Sequence, residues 1–305
     1  MRSPVSVPIQ TAVVVGAGTM GHGIAQVLAQ AGISTTLVDL NPDVVKIGHA
    51  KIIENLDKGV QKGKVSAADR DATLARLRTA TTTAPLWEAD LLVEAIPERL
   101  ELKARLFAEA DAVMPAGAML ASNTSSLSIA AIAAATKRPD AVIGLHFFNP
   151  VHIMKLLEIV RGPLTSETTL QAARDLAQRL NKTAVVVNDA PGFATSRLGI
   201  CLGNEAMRML EEGVASAADI DAAMKLGYGH PMGPLALSDL VGLDVRLNIS
   251  EGLFAELGTD GFRAPRLLKR LVTLGHVGKK AGRGFYLWDN GEIVGENPAA
   301  RRQPV

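Results

Sequence analysis

Residues 141–161 read AVIGLHFFNPVHIMKLLEIVR. Two apolar runs, 141–145 and 154–160, flank a break at His146, Phe147, Phe148, Asn149 and Pro150. Continuous apolar runs of this length read as strands buried on both faces, the pattern of a covered α/β sheet. His146 is expected where the first strand ends, the edge at which open α/β sheets place their ligands. Glu158 interrupts the second run, where a lone carboxylate is costly. A histidine twelve residues earlier, across a turn, would relieve that cost. The same residues also fit a satisfied core glutamate beside an unrelated loop histidine, so the surroundings decide.

Upstream, a short apolar strand at 11–15 runs into Gly16-Ala17-Gly18-Thr19-Met20-Gly21, a G-x-G-x-x-G. A helical pattern follows over 20–30 and is closed by Gly32, and a second strand, 35–38, ends at Asp39. Gly16 permits the tight turn, Gly18 the approach of a pyrophosphate, and Gly21 close helix–strand packing. Thr19 and Met20 lie in the same turn, so 16–21 is the expected phosphate cradle at a helix N-terminus. Asp39 would accept from ribose hydroxyls and repel a 2′-phosphate. With Leu40 and Asn41 following and no arginine, the pattern favours NAD over NADP.

Residues 42–78 read as two helices, 42–62 and a second starting at Ser66, with Lys58, Lys62 and Lys64 near their join. That cluster fits a solvated basic face. Strands are expected at 91–96 and 119–121, the first followed by Glu98 and a helix over 100–112 carrying Lys103. The second ends in Ser122-Asn123-Thr124-Ser125-Ser126, a hydroxyl-rich run that would cap the next helix, 127–135, or line a substrate site. A helix over 167–180 and a strand at 183–187 complete a Rossmann-type doubly wound α/β sheet of about eight strands with a helical insert, the last strands not parallel to the rest.

The 305 residues fit two domains. The boundary is expected at the Asn188-Asp189-Ala190-Pro191-Gly192 break, giving 1–188 as the NAD-binding domain and 189–305 as an all-α domain for substrate and dimerisation. There, Leu198, Leu202, Ala206, Met209 and Leu210 fall on one helical face, with Cys201 and Glu205 beside it and the cysteine expected in the core. Ser216 with Asp219 caps a helix ending at Gly227, a single helix is expected from Pro234 to about Leu257, another covers 265–274, and 278–286 reads as a basic glycine-rich loop. A helical domain this apolar suggests a homodimer. Formal net charge is +1, which argues against a nucleic-acid surface of the usual basic kind. One cysteine gives no disulfide framework. The start MRSPVSVPIQ carries no apolar signal region, and no run of about 18 apolar residues appears. The expectation is a soluble, cytoplasmic protein without a membrane span or metal site.

VVGAGTMGHGIAQ, LLVEAIPE, ASNTSSLSI, GLHFFNPVHIMKLLEIV, DAPGF, HPMGPLALSDLVGLD and GRGFY occur in this order over 13–286. Together they resemble the 3-hydroxyacyl-CoA dehydrogenase family, the HFFNP stretch most tellingly. The resemblance implies oxidation of a (3S)-3-hydroxyacyl-CoA, short chain favoured, to the 3-ketoacyl-CoA by NAD. It makes His146 similar to the family's general base, Glu158 to the carboxylate that orients it, and Ser125 to the serine that bonds the substrate hydroxyl. Asn149, Glu98 and Lys103 match positions near the nicotinamide. Lys62 falls where the family meets coenzyme A, so the cluster, Lys58 included, is expected at the phosphates of that handle; Lys269 matches a further cofactor contact less closely, its spacing to Gly278 differing by one residue. After DAPGF the family has two variable residues and Asn-Arg; here Ser196 stands in place of the asparagine. Two other readings stay open: a dehydrogenase of a non-CoA hydroxy acid, such as a sugar acid or carnitine, and a non-catalytic NAD-binding structural protein.

Overall fold

A computed structural model describes residues 9–300, so most of the MRSPVSVPIQ start lies outside the described residues. The chain divides into two compact units, 1–190 and 191–305.

The first unit follows the apolar runs. In chain order its elements are β1 (Thr11–Val15), α1 (Gly21–Gln30), β2 (Ser34–Val38), α2 (Pro42–Gln61), α3 (Ala67–Ala75), β3 (Leu77–Ala80), β4 (Leu91–Glu94), α4 (Leu100–Val113), β5 (Met119–Ser122), α5 (Ile129–Ala133), β6 (Val142–Phe147), β7 (Leu156–Arg161), α6 (Glu167–Arg179) and β8 (Thr183–Asn188). One eight-stranded sheet has the order β3-β2-β1-β4-β5-β6-β7-β8. All neighbours pair parallel except β6 and β7, which run antiparallel and set Gly144 against Val160 and His146 against Glu158. Buried Val14, Leu37, Leu91, Ile143 and Ile159 carry the core through the sheet.

Two expectations shift here. His146 and Phe147 do not break the strand; they stay in β6 because Glu158 and Leu157 of β7 hold their backbones. The break falls on Phe148-Asn149-Pro150, where the Asn149–Pro150 bond is cis. Residues 77–80 form an edge strand, β3, although LRTA has no apolar run to announce it.

The second unit is helical: α7 (Thr195–Glu212), α8 (Ala217–Ala222), α9 (Pro234–Val241), α10 (Leu243–Leu257) and α11 (Arg266–Thr273), followed by a hairpin of β9 (Tyr286–Asp289) and β10 (Glu292–Glu296). The single helix expected over 234–257 is two, parted at Gly242, whose φ of 104° a side chain would resist. The buried stripe of α7 is Ile200, Gly203, Asn204, Ala206, Met207 and Leu210; it shares Ala206 and Leu210 with the one expected and is rotated from it elsewhere. Gly203 lets the Arg246 guanidinium approach, and Asn204 donates to Ser250 Oγ at 2.7 Å. The rotation turns Leu198 outward and leaves Cys201 exposed instead of in the core.

The basic loop at 278–286 is pinned, not loose. Asp239 accepts from the Phe285 and Tyr286 N–H groups and from Trp288 Nε1 at 2.8, 2.9 and 2.9 Å. A Cβ on Gly284 would lie 2.0 Å from Asp239 Oδ1, so the approach requires glycine. Among the described residues no helix is long and apolar enough to cross a membrane.

Candidate active site

Where β1 ends, the chain must turn into α1 within a few residues, and the glycines make that possible. Gly16 has φ 104°, and a Cβ there would meet Ala95 O at 2.4 Å. A Cβ on Gly21 would lie 1.6 Å from Gly16 O. Gly18 differs: a Cβ would meet nothing within 4 Å, so the loop is open above it. Gly18 and Thr19 are exposed, Met20 is half-buried, and the first turn of α1 has no side-chain cap and no acidic residue. Its N–H groups are therefore presented to an anion. At the end of β2, Asp39 accepts from Ala17 N–H at 2.9 Å and from Asn41 N–H at 3.1 Å. These bonds fix a carboxylate beside the glycine turn with acceptor capacity remaining. An open glycine cradle, an uncapped helix start and an oriented acid fit a dinucleotide.

Farther along the sheet, the antiparallel register places His146 and Glu158 directly opposite. His146 Nδ1 lies 2.8 Å from Glu158 Oε2. Glu158 is wholly buried and His146 nearly so. A carboxylate this deep needs a charged or donor partner. With a neutral ring, Nδ1–H donates to Glu158 and Nε2 carries the lone pair, the tautomer suited to taking a proton. Phe148 tilts its ring against the imidazole at a centroid distance of 4.4 Å. Asn149 follows on the exposed break, and the Asn123 side chain accepts from Phe147 N–H at 2.8 Å, tying the β5 end to the β6 end.

The hydroxyl run after β5 closes around Glu98. Glu98 Oε1 accepts from Thr124 Oγ1 at 2.6 Å, from Ser125 N–H at 2.9 Å, from Ser125 Oγ at 3.3 Å and from Ser126 Oγ at 3.2 Å. Burial pushes the Glu98 carboxyl up, but Lys103 and the Thr124 and Ser125 donors outweigh it and hold it below the usual range. Glu98 therefore stabilises the fold above the ordinary carboxylate range, and that contribution is lost as pH falls through the lowered value.

Lys103, which the resemblance matches to a position near the nicotinamide, is buried beneath this cluster. Its ammonium lies 2.6 Å from Glu94 Oε1 and 3.0 Å from Glu98 Oε2. Glu94, at the end of β4 and fully buried, also accepts from Ser122 Oγ at 2.5 Å and Ile96 N–H at 2.8 Å. Ser122 and Thr124 belong to the hydroxyl run singled out in the sequence, whereas Glu94 was missed. The signal for Glu94 was present, a lone carboxylate in the run LLVEAI, the same signal that marks Glu158.

The remaining expected residues stand on other elements. Lys58 pairs with Glu54 at 2.5 Å on an exposed face of α2, and Lys62 and Lys64 line a cleft at the end of that helix. In the second unit, Ser196 is half-buried in the first turn of α7, and Lys269 of α11 pairs with Glu251 of α10 at 3.0 Å. Among the described residues no cluster of metal ligands occurs.

A sheet that cradles a dinucleotide at one crossover and carries a histidine–carboxylate pair farther along defines a nicotinamide-dependent dehydrogenase of the two-domain kind. Comparison with known proteins makes this particular. Residues 11–190 match the 3-hydroxyacyl-CoA dehydrogenase NAD binding domain, and residues 192–288 match the 3-hydroxyacyl-CoA dehydrogenase C-terminal domain. The chain belongs to the 3-hydroxyacyl-CoA dehydrogenase family. It is 45% identical over 278 residues to a probable 3-hydroxybutyryl-CoA dehydrogenase of Bacillus subtilis, covering 91% of this chain and 97% of that one. It is 41% identical over 281 residues to a 3-hydroxyadipyl-CoA dehydrogenase of Escherichia coli K12, covering 92% of this chain and 59% of that one. The crystal structure of (S)-3-hydroxybutyryl-CoA dehydrogenase from Ralstonia eutropha superposes with a TM-score of 0.89 at 41% identity, covering 92% of this chain and all of that one.

Proposed function

We propose that the protein oxidises a (3S)-3-hydroxyacyl-CoA, short chain favoured, to the 3-ketoacyl-CoA with NAD, and runs reversibly. The buried His146–Glu158 pair at 2.8 Å carries this reading. When bound, NAD supplies the two-electron acceptor. His146 Nε2 takes the 3-hydroxyl proton as the alcohol is oxidised and returns it in the reverse direction. Glu158 holds the ring in the productive tautomer and stabilises the imidazolium that forms. Ser125, fixed by its own bonds to Glu98, helps align the hydroxyl. Lys58 and Lys62 meet the phosphates of the coenzyme A handle. The test is NAD reduction with (3S)-3-hydroxybutyryl-CoA, its (3R) isomer and free 3-hydroxybutyrate. Turnover confined to the (3S) thioester is expected, and equal rates on the free acid would contradict the reading.

The oriented carboxylate of Asp39, with exposed Leu40 beside it and no arginine, supports NAD over NADP. The kcat/KM with NADH is expected to exceed that with NADPH by about tenfold or more, about 1.4 kcal/mol; a preference for NADPH would overturn this role.

Ser196 stands where the resemblance places an asparagine. One hydroxyl replaces an amide with two donors. An ordinary hydrogen bond contributes only about 0.5–1.5 kcal/mol net, so Ser196→Asn is expected to change kcat on acetoacetyl-CoA by less than about tenfold, while Ser196→Ala lowers it. A Ser196→Ala enzyme as fast as wild type would show that the hydroxyl takes no part.

A homodimer through the helical unit is the assembly we favour, because Leu226, Tyr228 and Leu198 are each more than two-thirds exposed on it. Light scattering at a single-chain mass would contradict it.

A further inference from the structure

A cleft of about 660 Å³ opens in the first unit, with α1 on its floor at Gln26 and Gln30. One wall is the end of α2 with the following turn, bearing Lys62 and Lys64; the other is the 152–155 segment with the turn between α6 and β8, bearing Lys155 and Lys182. Five lysines, an arginine and a histidine line it, and no carboxylate does. Not all these cations are available. Arg179 donates to the Ala31 and Ile9 carbonyls, while Lys58, paired with Glu54 on an exposed face, shares its charge between that carboxylate and the cleft. Lys182 Nζ donates to the Val151 and Met154 carbonyls, both at 2.7 Å, which leaves one of its three donors for the cleft.

The second wall holds like charges together. Burial first and Lys155 second bring Lys182 down to about 8. Burial, His22 and Lys182 lower His152 as well. Cations crowded without a counter-charge raise the energy of the empty cleft and are relieved by a bound polyanion. Exposed Ile153 and Met154 beside them offer an apolar surface for a ring. Lys155 stands three residues before Glu158 on the stretch that also carries His146, so one segment serves the proton-transfer pair and this wall.

We infer that the cleft grips the nucleotide handle of the thioester from two sides, with Lys155 and Lys182 holding phosphate on the wall opposite Lys62 and Lys64. This rests on the coenzyme A reading above, and it adds the second wall. A handle with a 3′-phosphate and a diphosphate offers a phosphate to each group of lysines.

The test compares wild type, Lys155→Glu, Lys155→Arg and Lys62→Ala on acetoacetyl-CoA and on the acetoacetyl thioester of N-acetylcysteamine, which lacks phosphates. The ratio of kcat/KM for the two substrates reads the handle. Lys155→Glu is expected to lower that ratio about tenfold, the scale on which a partly exposed ion pair becomes a repulsion. Lys155→Arg should restore most of it, and added salt should shrink the difference. Calorimetric binding of free CoA to the same variants gives a readout without turnover, where Lys155→Glu should weaken binding by a similar factor. A wild-type ratio and wild-type CoA affinity in Lys155→Glu, with Lys62→Ala impaired, would overturn the second wall and leave the substrate reading standing. A wild-type protein that neither binds CoA nor favours the CoA thioester would overturn both. Binding of CoA weakened by Lys155→Glu but without turnover would uphold the cleft and overturn the substrate reading.

Discussion

His146→Gln is expected to lower kcat on acetoacetyl-CoA about 10²–10⁴-fold, the usual contribution of a positioned general acid–base, with NADH affinity close to that of wild type. The glutamine keeps size and polarity but cannot carry a proton between substrate and solvent. Because His146 is held in β6 by backbone pairing with β7, the loss should be local, and the melting temperature is the control. Glu158→Gln should also slow turnover, by less, because the ring remains while tautomer and imidazolium support are lost. The two losses should not add, since both substitutions disable one unit. Measured by NADH oxidation at saturating substrate, more than half the wild-type rate in either variant would refute the assignment.

Glu94→Ala is expected to cost about 3–5 kcal/mol of stability, because it removes one partner from a buried ion pair. Lys103 would keep only Glu98, itself partly exposed, as its counter-charge. At about 2–4 °C per kcal/mol for units of this size, the melting temperature should fall by more than about 6 °C. Turnover should fall too, since Lys103 underlies Glu98 and Glu98 fixes Ser125. Replacing both partners, Glu94→Leu with Lys103→Met, should recover part of the stability, since no buried charge is then left unpaired. It should not recover turnover. A Glu94→Ala protein melting within about 2 °C of wild type would show that the pair adds nothing to the fold.

These two sites were not equally legible. The apolar runs around HFFNP announced β6 and β7, and Glu158 announced a partner, because a carboxylate among buried aliphatic residues has few ways to exist. The pairing itself needed the antiparallel register, which no local pattern states. Glu94 carried the same signal in LLVEAI and was passed over, since its partner Lys103 sits nine residues on in a helix, where no local pattern ties it to a buried carboxylate. That Lys103 is buried, at 1% exposure, follows only from the fold.

The glycine turn and Asp39 were legible because a steric requirement sits behind each glycine. β3 was not: its edge position leaves Arg78 and Thr79 exposed, and neither periodicity nor apolar content marks it. In the second unit, counting apolar residues alone misplaced the α7 stripe by passing over Gly203 and Asn204, which are buried because Arg246 and Ser250 meet them there. The rotation decides whether Cys201 is core or surface. The hairpin and the pinned 278–286 loop depend on Asp239, about forty residues away in sequence, so the loop alone looked free.

The most direct measurement is NADH absorbance on mixing the protein with acetoacetyl-CoA, run beside free acetoacetate and beside the His146→Gln variant. The account predicts rapid oxidation of NADH by wild type with the thioester, slow or no oxidation with the free acid, and a loss of at least about a hundredfold in the variant. Oxidation of NADH at equal rates by acetoacetate and its thioester, or by wild type and His146→Gln, would contradict it.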